Sequence, residues 1–161
     1  MWEKTYEVLK EYAIAVRNEL QDSYIQDDRI ATGDLLNSVN YIIEKDDRCI
    51  EVSLSLAEWW KFVEEDTEPH FPPPEAMLKY IRTKPILPRE INGKLPTPDQ
   101  LAFLIGRKIS EVGTEGTHNL RDTVARMNEY FEEKIAHAIN ADISNEIDVI
   151  FSQYFSDSDT E

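Results

Sequence analysis

Residues 49–56, CIEVSLSL, decide the fold class. Apolar Ile50, Val52, Leu54 and Leu56 alternate with Glu51, Ser53 and Ser55. That is the period of a strand with one half-buried face. Just upstream, VNYIIEK (39–45) is rich in β-formers, and Asp46-Asp47-Arg48 separates the two runs. The pair predicts a β-hairpin. The other long segments carry three- and four-residue apolar spacing. The class is therefore α+β: helix-rich, with a small antiparallel hairpin and long amphipathic helices at both ends.

Upstream of the hairpin, residues 3–26 place Tyr6, Leu9, Ala13, Val16, Leu20 and Tyr24 on one helical face. Residues 27–33 break the pattern, and Thr32 or Asp34 is suited to cap a short helix through Asn37. Downstream, residues 57–65 form a short helix with Trp59, Trp60 and Val63. Pro69 and Pro72 to Pro74 forbid regular structure over 68–74. Pro74 suits the first turn of a helix over 74–84 that carries Met77, Leu78 and Ile81. Residues 85–98 form a loop with four prolines and an Asn-Gly turn signal. A helix follows over 98–112, with Leu101, Leu104, Ile105, Lys108 and Ile109 on one stripe. From 118 to 155 apolar residues recur without Gly or Pro, giving one long helix or two broken near Asn140-Ala141-Asp142. Residues 1–155 read as one domain and SDSDTE (156–161) as a disordered acidic tail.

The net charge is −15, unevenly spread. Residues 129–161 hold one basic and nine acidic side chains. Residues 79–108 hold seven basic against two acidic ones. The overall sign argues against a dedicated nucleic-acid binder, because Lys and Arg supply phosphate affinity. The single cysteine, Cys49, makes no intramolecular disulfide. The N-terminus has no apolar h-region, so no signal peptide is expected, and no run nears the ~20 apolar residues of a membrane span.

Chemistry is sparse. His70, His118 and His137 have no second ligand at metal-binding spacing. No nucleophile motif occurs, so no catalytic, cofactor or metal site is expected. Glu64, Glu65, Asp66 and Glu68 read as a solvated acidic turn. VGTEGT (112–117) reads as a link between helices, with Gly113 ending one and Thr117 capping the next. Trp59 and Trp60 point about 100° apart on a helix. Either one packs on the hairpin while the other covers a loop, or one anchors an interface. The proline arm either fixes the approach to the following helix or projects as a low-entropy strut onto a neighbour.

In order along the chain come ATGDLLNSV (31–39), the hairpin, WWKFVEEDTEPHFPPPEAMLKYI (59–81), LAFLIGRKISEVGT (101–114) and FEEKIAHAINADISNEI (131–147). This order resembles the tail-completion, or neck, proteins of tailed phages, the HK97 gp10-like group of head–tail connectors. Their usual Glu-Xaa-Gly-Thr is here Glu65-Asp66-Thr67, without the glycine. The resemblance implies a non-enzymatic virion protein at the neck, made in the bacterial cytoplasm. It would form a homo-oligomeric ring of twelve or six copies, touching portal, connector or tail proteins, with DNA only as passing cargo and no membrane. The basic 79–108 segment and the acidic C-terminal helix are complementary faces for such a ring. The candidate interface residues are Trp59, Trp60, His70, Phe71, Pro73, Arg82, Lys84, Arg89, Ile147, Phe151 and Tyr154. The alternative is a small acidic inhibitor or DNA mimic of anti-defence type. A hydrolase without a legible motif is the third class.

Overall fold

The computed structural model describes residues 2–27, 32–46, 48–84, 86, 88–90 and 93–158. The order of elements is α1 (Glu3–Gln26), α2 (Asp34–Ser38), β1 (Asn40–Lys45), β2 (Ile50–Ser55), α3 (Trp60–Glu64), α4 (Pro74–Thr83), α5 (Pro98–Val112) and α6 (Asn119–Ser158). The fold is α+β, with long helices at both ends and one two-stranded antiparallel sheet. Parts of the expected 27–33 break, the Asp47 position, Pro85, the Asn-Gly turn at Asn92 and the last three tail residues lie outside the described residues.

The described chain divides into two compact units. The first comprises residues 1–20, 40–55 and 121–161. Its core lies along α1, where Ala13, Val16 and Leu20 are fully buried, as their three- and four-residue spacing predicts. Phe131, Thr123 and Ala138 of α6 are buried with them in the same unit. The Tyr12 ring meets Phe131 edge-on at 5.6 Å, and its hydroxyl donates to Asn128 Oδ1 at 2.7 Å. Desolvation pushes that phenol's pKa above its ordinary value. The hairpin register pairs Asn40 with Ser55 and Lys45 with Ile50. Its turn is tied by Asp46, whose Oδ1 accepts from the Arg48 and Cys49 amides. Arg17 lies over the Tyr41 ring and Lys45 over Tyr6, so cation–π contacts fix the hairpin to α1.

The second unit comprises residues 21–39 and 56–120. Here α4 packs on α5. α5 starts with a full capping box: Thr97 Oγ1 accepts from the Gln100 amide, and Gln100 Oε1 accepts from the Thr97 amide. Gly113 ends it at φ 74°. The stripe expected on α5 is only half inward. Ala102 and Gly106 are the buried residues, while Leu104 is 39% and Phe103 59% exposed. The Phe71 ring rests on Gly106, where a methyl group would lie 3.1 Å from its Cζ.

A clasp joins residues 63–68 to 113–120. Thr67 and Thr114 exchange backbone hydrogen bonds of 2.8 and 3.2 Å. The Thr117 amide donates to Val63 O and the His118 amide to Glu64 O. Two expectations are corrected here. Glu64 is not part of a solvated turn: it is 5% exposed, and its Oε2 accepts from the Leu120 amide at the start of α6. Thr117 is not the cap of that helix, because its hydroxyl donates back to Val63 O. The buried carboxylate of Glu64, at the end of α3, does the capping instead.

Candidate functional site

The surfaces that stand out are an exposed apolar helix face and two grooves, and each belongs to one unit. The first is the end of α6. Asp142 is the last buried residue on this helix, and its carboxylate accepts from the Lys4 amide at 3.2 Å and the Thr5 amide at 2.8 Å. Burial works to raise its pKa, but the amide hydrogen bonds and the Lys4 charge outweigh it and hold the carboxyl below its ordinary value. Asp142 therefore caps the first turn of α1. Beyond it α6 continues without a break through sixteen more residues, about 24 Å.

From Ile143 to Phe155 every side chain is exposed except half-buried Glu146. Ile143, Ile147, Ile150 and Tyr154 recur at steps of four, three and four, and so share one face. Phe151 stacks on Phe155 at 6.2 Å, and Tyr154 meets Phe155 edge-on. Phe151, Tyr154 and Phe155 are 57, 74 and 62% exposed. A large aromatic buries ~150–250 Å² when covered, so these three alone leave on the order of 400 Å² open. The three isoleucines on the same side take the patch to or beyond the ~300–600 Å² typical of the largest patch on a monomer.

The second surface lies in the other unit, at the start of α5. Lys94, Leu95, Thr97, Gln100, Phe103 and Leu104 line a cleft of about 870 Å³. Leu95 is 63% exposed. Lys108 lies one helical turn beyond Leu104 on the same face of α5 and is exposed. A further groove of about 720 Å³, in the first unit, is lined by Val8 and Ala138 with Glu3, Glu7, Glu11 and Glu133 around it. Lys4, Lys134 and His137 also border it.

The residues singled out from the sequence fall as follows. Trp59 is half exposed at the N-cap of α3, and Trp60 is half-buried with Lys61 near its ring. The proline arm lies on its own unit: Pro72 is buried and Phe71 rests on α5, 6.1 Å from the Phe103 ring. His70 and Pro73 are exposed, and the Glu68 carbonyl lies 2.8 Å from His70 Nδ1. Arg82 and Arg89 are exposed and Lys84 is half-buried. Ile147, Phe151 and Tyr154 sit together on the α6 overhang. Leu95 and Phe103 are not singled out by the sequence, and Leu104 is read there only as part of the α5 stripe. The only signal for them was an apolar residue between prolines and a stripe on α5 broader than one partner helix needs.

Among the described residues no group of three or more His, Cys, Asp or Glu is placed to hold a metal ion. No helix among them is long and apolar enough to cross a membrane. Compared with protein-family models, curated proteins and solved structures, the chain matches none.

Proposed function

We propose that this chain is a structural subunit of a tailed-phage virion, a head–tail connector or tail-completion protein that assembles as a ring at the neck. One observation carries the reading: α6 outruns its core by about 24 Å and presents a large apolar face there. A helix that is finished with its own fold at Asp142, yet keeps an apolar stripe, has been built for a second protein surface. The order of motifs along the chain supports the same conclusion. In a closed ring each copy offers two different faces, one to each neighbour. The net charge of −15 suits a passage through which DNA slides, because each Lys or Arg on phosphate adds affinity and therefore friction. In this reading acids from the 129–148 region approach the channel, and the basic 79–108 segment lies between subunits or against another virion protein.

The test is to locate the chain in purified virions by mass spectrometry and cryo-electron microscopy. The expected result is a ring between portal and tail. Absence from virions would remove the proposal.

One feature favours the acidic-inhibitor reading. Glu3, Glu7 and Glu11 form a row at about 6 Å steps on α1. The row is short, and Lys45 pairs with Glu3 at 3.0 Å, which breaks a phosphate-like pattern. Inhibition of a DNA-binding enzyme by the purified protein, lost on reversing Glu7 and Glu11, would favour this alternative.

A further inference from the structure

We propose that the α6 overhang of one copy docks in the Leu95–Phe103–Leu104 cleft of a second copy. This rests on the ring reading and supplies its intersubunit contact. The overhang offers Ile147, Ile150, Phe151 and Tyr154 on adjoining faces of one helix. The cleft offers three exposed apolar side chains in a concave surface of about 870 Å³. A helix laid in an apolar groove is a common recognition mode, with anchors at three- and four-residue steps.

Charge decides among the possible occupants. Residues 143–155 contain Glu146 and Asp148 and no basic residue. Two overhangs packed on each other would bring these carboxylates together with nothing to offset them. The α1–α6 groove is bordered by Glu3, Glu7, Glu11 and Glu133 against Lys4 and Lys134, so its net negative rim disfavours the same helix. The α5 cleft is lined by Lys94 against Asp99, so its rim carries no net charge, and Lys108 is exposed one turn beyond it on α5. The cleft also opens on the first turn of α5, where the helix dipole favours negative charge. Of the three surfaces it is the one that is not net negative. Like-charge exclusion from the other two would set the register.

The area is also in range. The overhang's apolar face, with the rim a groove would cover, approaches the ~800 Å² per partner of a standard specific interface. The contact is heterologous: the surface that one copy gives differs from the surface that the next receives. It can therefore propagate around a ring.

Full-length chains carrying Cys49→Ser and one new cysteine each, Ile147→Cys or Leu95→Cys, test this by oxidative cross-linking. One of the two carries a tag, so mixed and like dimers differ in mass. Both positions are exposed, and circular dichroism checks that each variant is folded. The expected product is the mixed disulfide, formed several-fold more than either like dimer. Like dimers of Ile147→Cys alone would mean an overhang-to-overhang seam. Absence of cross-links would mean that a different virion protein covers the overhang. Either result overturns the proposal. In a second arm, Lys94→Glu with Lys108→Glu should weaken self-association in light scattering at least tenfold. A partner carrying Glu146→Lys and Asp148→Lys should restore it. Unchanged association in the first variant also overturns the proposal. Virion location is measured separately, so a chain present at the neck without the cross-link would leave the connector reading and remove only this contact.

Discussion

Replacing Gly113 by alanine probes the clasp that joins residues 63–68 to 113–120. Gly113 has φ 74° and ψ −161°, a backbone region open essentially to glycine alone. Holding alanine there costs about 1–3 kcal/mol. The new methyl would also lie 2.0 Å from Thr67 O, a backbone atom with no flexible end to move. Relief requires the Thr67–Thr114 bridge to open, with loss of its hydrogen bonds of 2.8 and 3.2 Å. At about 1 kcal/mol for each, the total is roughly 3–5 kcal/mol. Gly93→Ala is the control: φ is again 74°, but no atom lies within 4 Å of the added carbon. Strain alone should cost it about 1–2 kcal/mol. Urea unfolding of both variants, at one low protein concentration, reads the difference as a shift in midpoint at constant slope. With a slope of ~2 kcal/mol/M, Gly113→Ala should move the midpoint by about 2 M and Gly93→Ala by under 1 M. Equal midpoints would show that the clasp yields without cost and that the close approach carries no stability.

Three further outcomes follow from other parts of the molecule. Asp142→Asn should cost about 0.5–2 kcal/mol, the usual worth of a helix cap, and should flatten the acid limb of stability. The sign follows from the lowered folded-state pKa: the contribution is present above the ordinary carboxylate value of about 4 and is lost as pH falls through the lower folded value, so urea midpoints at pH 3 and pH 7 should differ more in wild type than in the variant. Truncation after Ser144 should keep the helical circular dichroism and the thermal transition while abolishing self-association and incorporation at the neck; a molten or unfolded product would show that the overhang belongs to the core. Free protein should not shift duplex DNA at physiological salt in a gel assay, given the charge of −15, and sub-micromolar binding would contradict the sliding argument.

Periodicity carried most of the architecture. The two-residue alternation at Ile50 to Leu56, the 3.6-residue stripe of α1 and the Thr97-Pro98 start of α5 each report a local geometry, so local sequence suffices. Asp142 and Glu64 were not legible for the opposite reason. Each is a carboxylate in a charged neighbourhood, and only the chain's return from 137 and 56 residues away makes it a buried helix cap. Truncation after Asn140, where the sequence leaves room for a helix break, would remove the Asp142 cap along with the overhang. The same limit hid the cleft. Leu104 falls on the apolar stripe expected of α5, but Ala102 and Gly106 are the residues that turn inward, and Leu104 and Phe103 stay exposed. In α6 the stripe runs unchanged through Asp142, so nothing in its spacing separates the part that folds the unit from the part left exposed.

An exposed stripe of that size is an aggregation hazard, and the charge of the chain bears directly on it. Copies at −15 repel one another at long range, which keeps free subunits apart. At about 0.15 M salt the Debye length is ~8 Å, so this long-range repulsion is largely screened. Contacts between Glu146 or Asp148 and Lys94 or Lys108 would act at shorter range and be screened less. Salt therefore has two opposing effects on assembly by the proposed contact. Adding a little removes the global repulsion and favours association. Adding much weakens the ion pairs that select the cleft, while apolar burial remains. Association should pass through a maximum at moderate ionic strength and lose its preference for the cleft, read as the ratio of mixed to like disulfides, at high salt. A monotonic rise with salt would instead mean that apolar burial alone holds the copies together and that the cations beside the cleft play no part in choosing it.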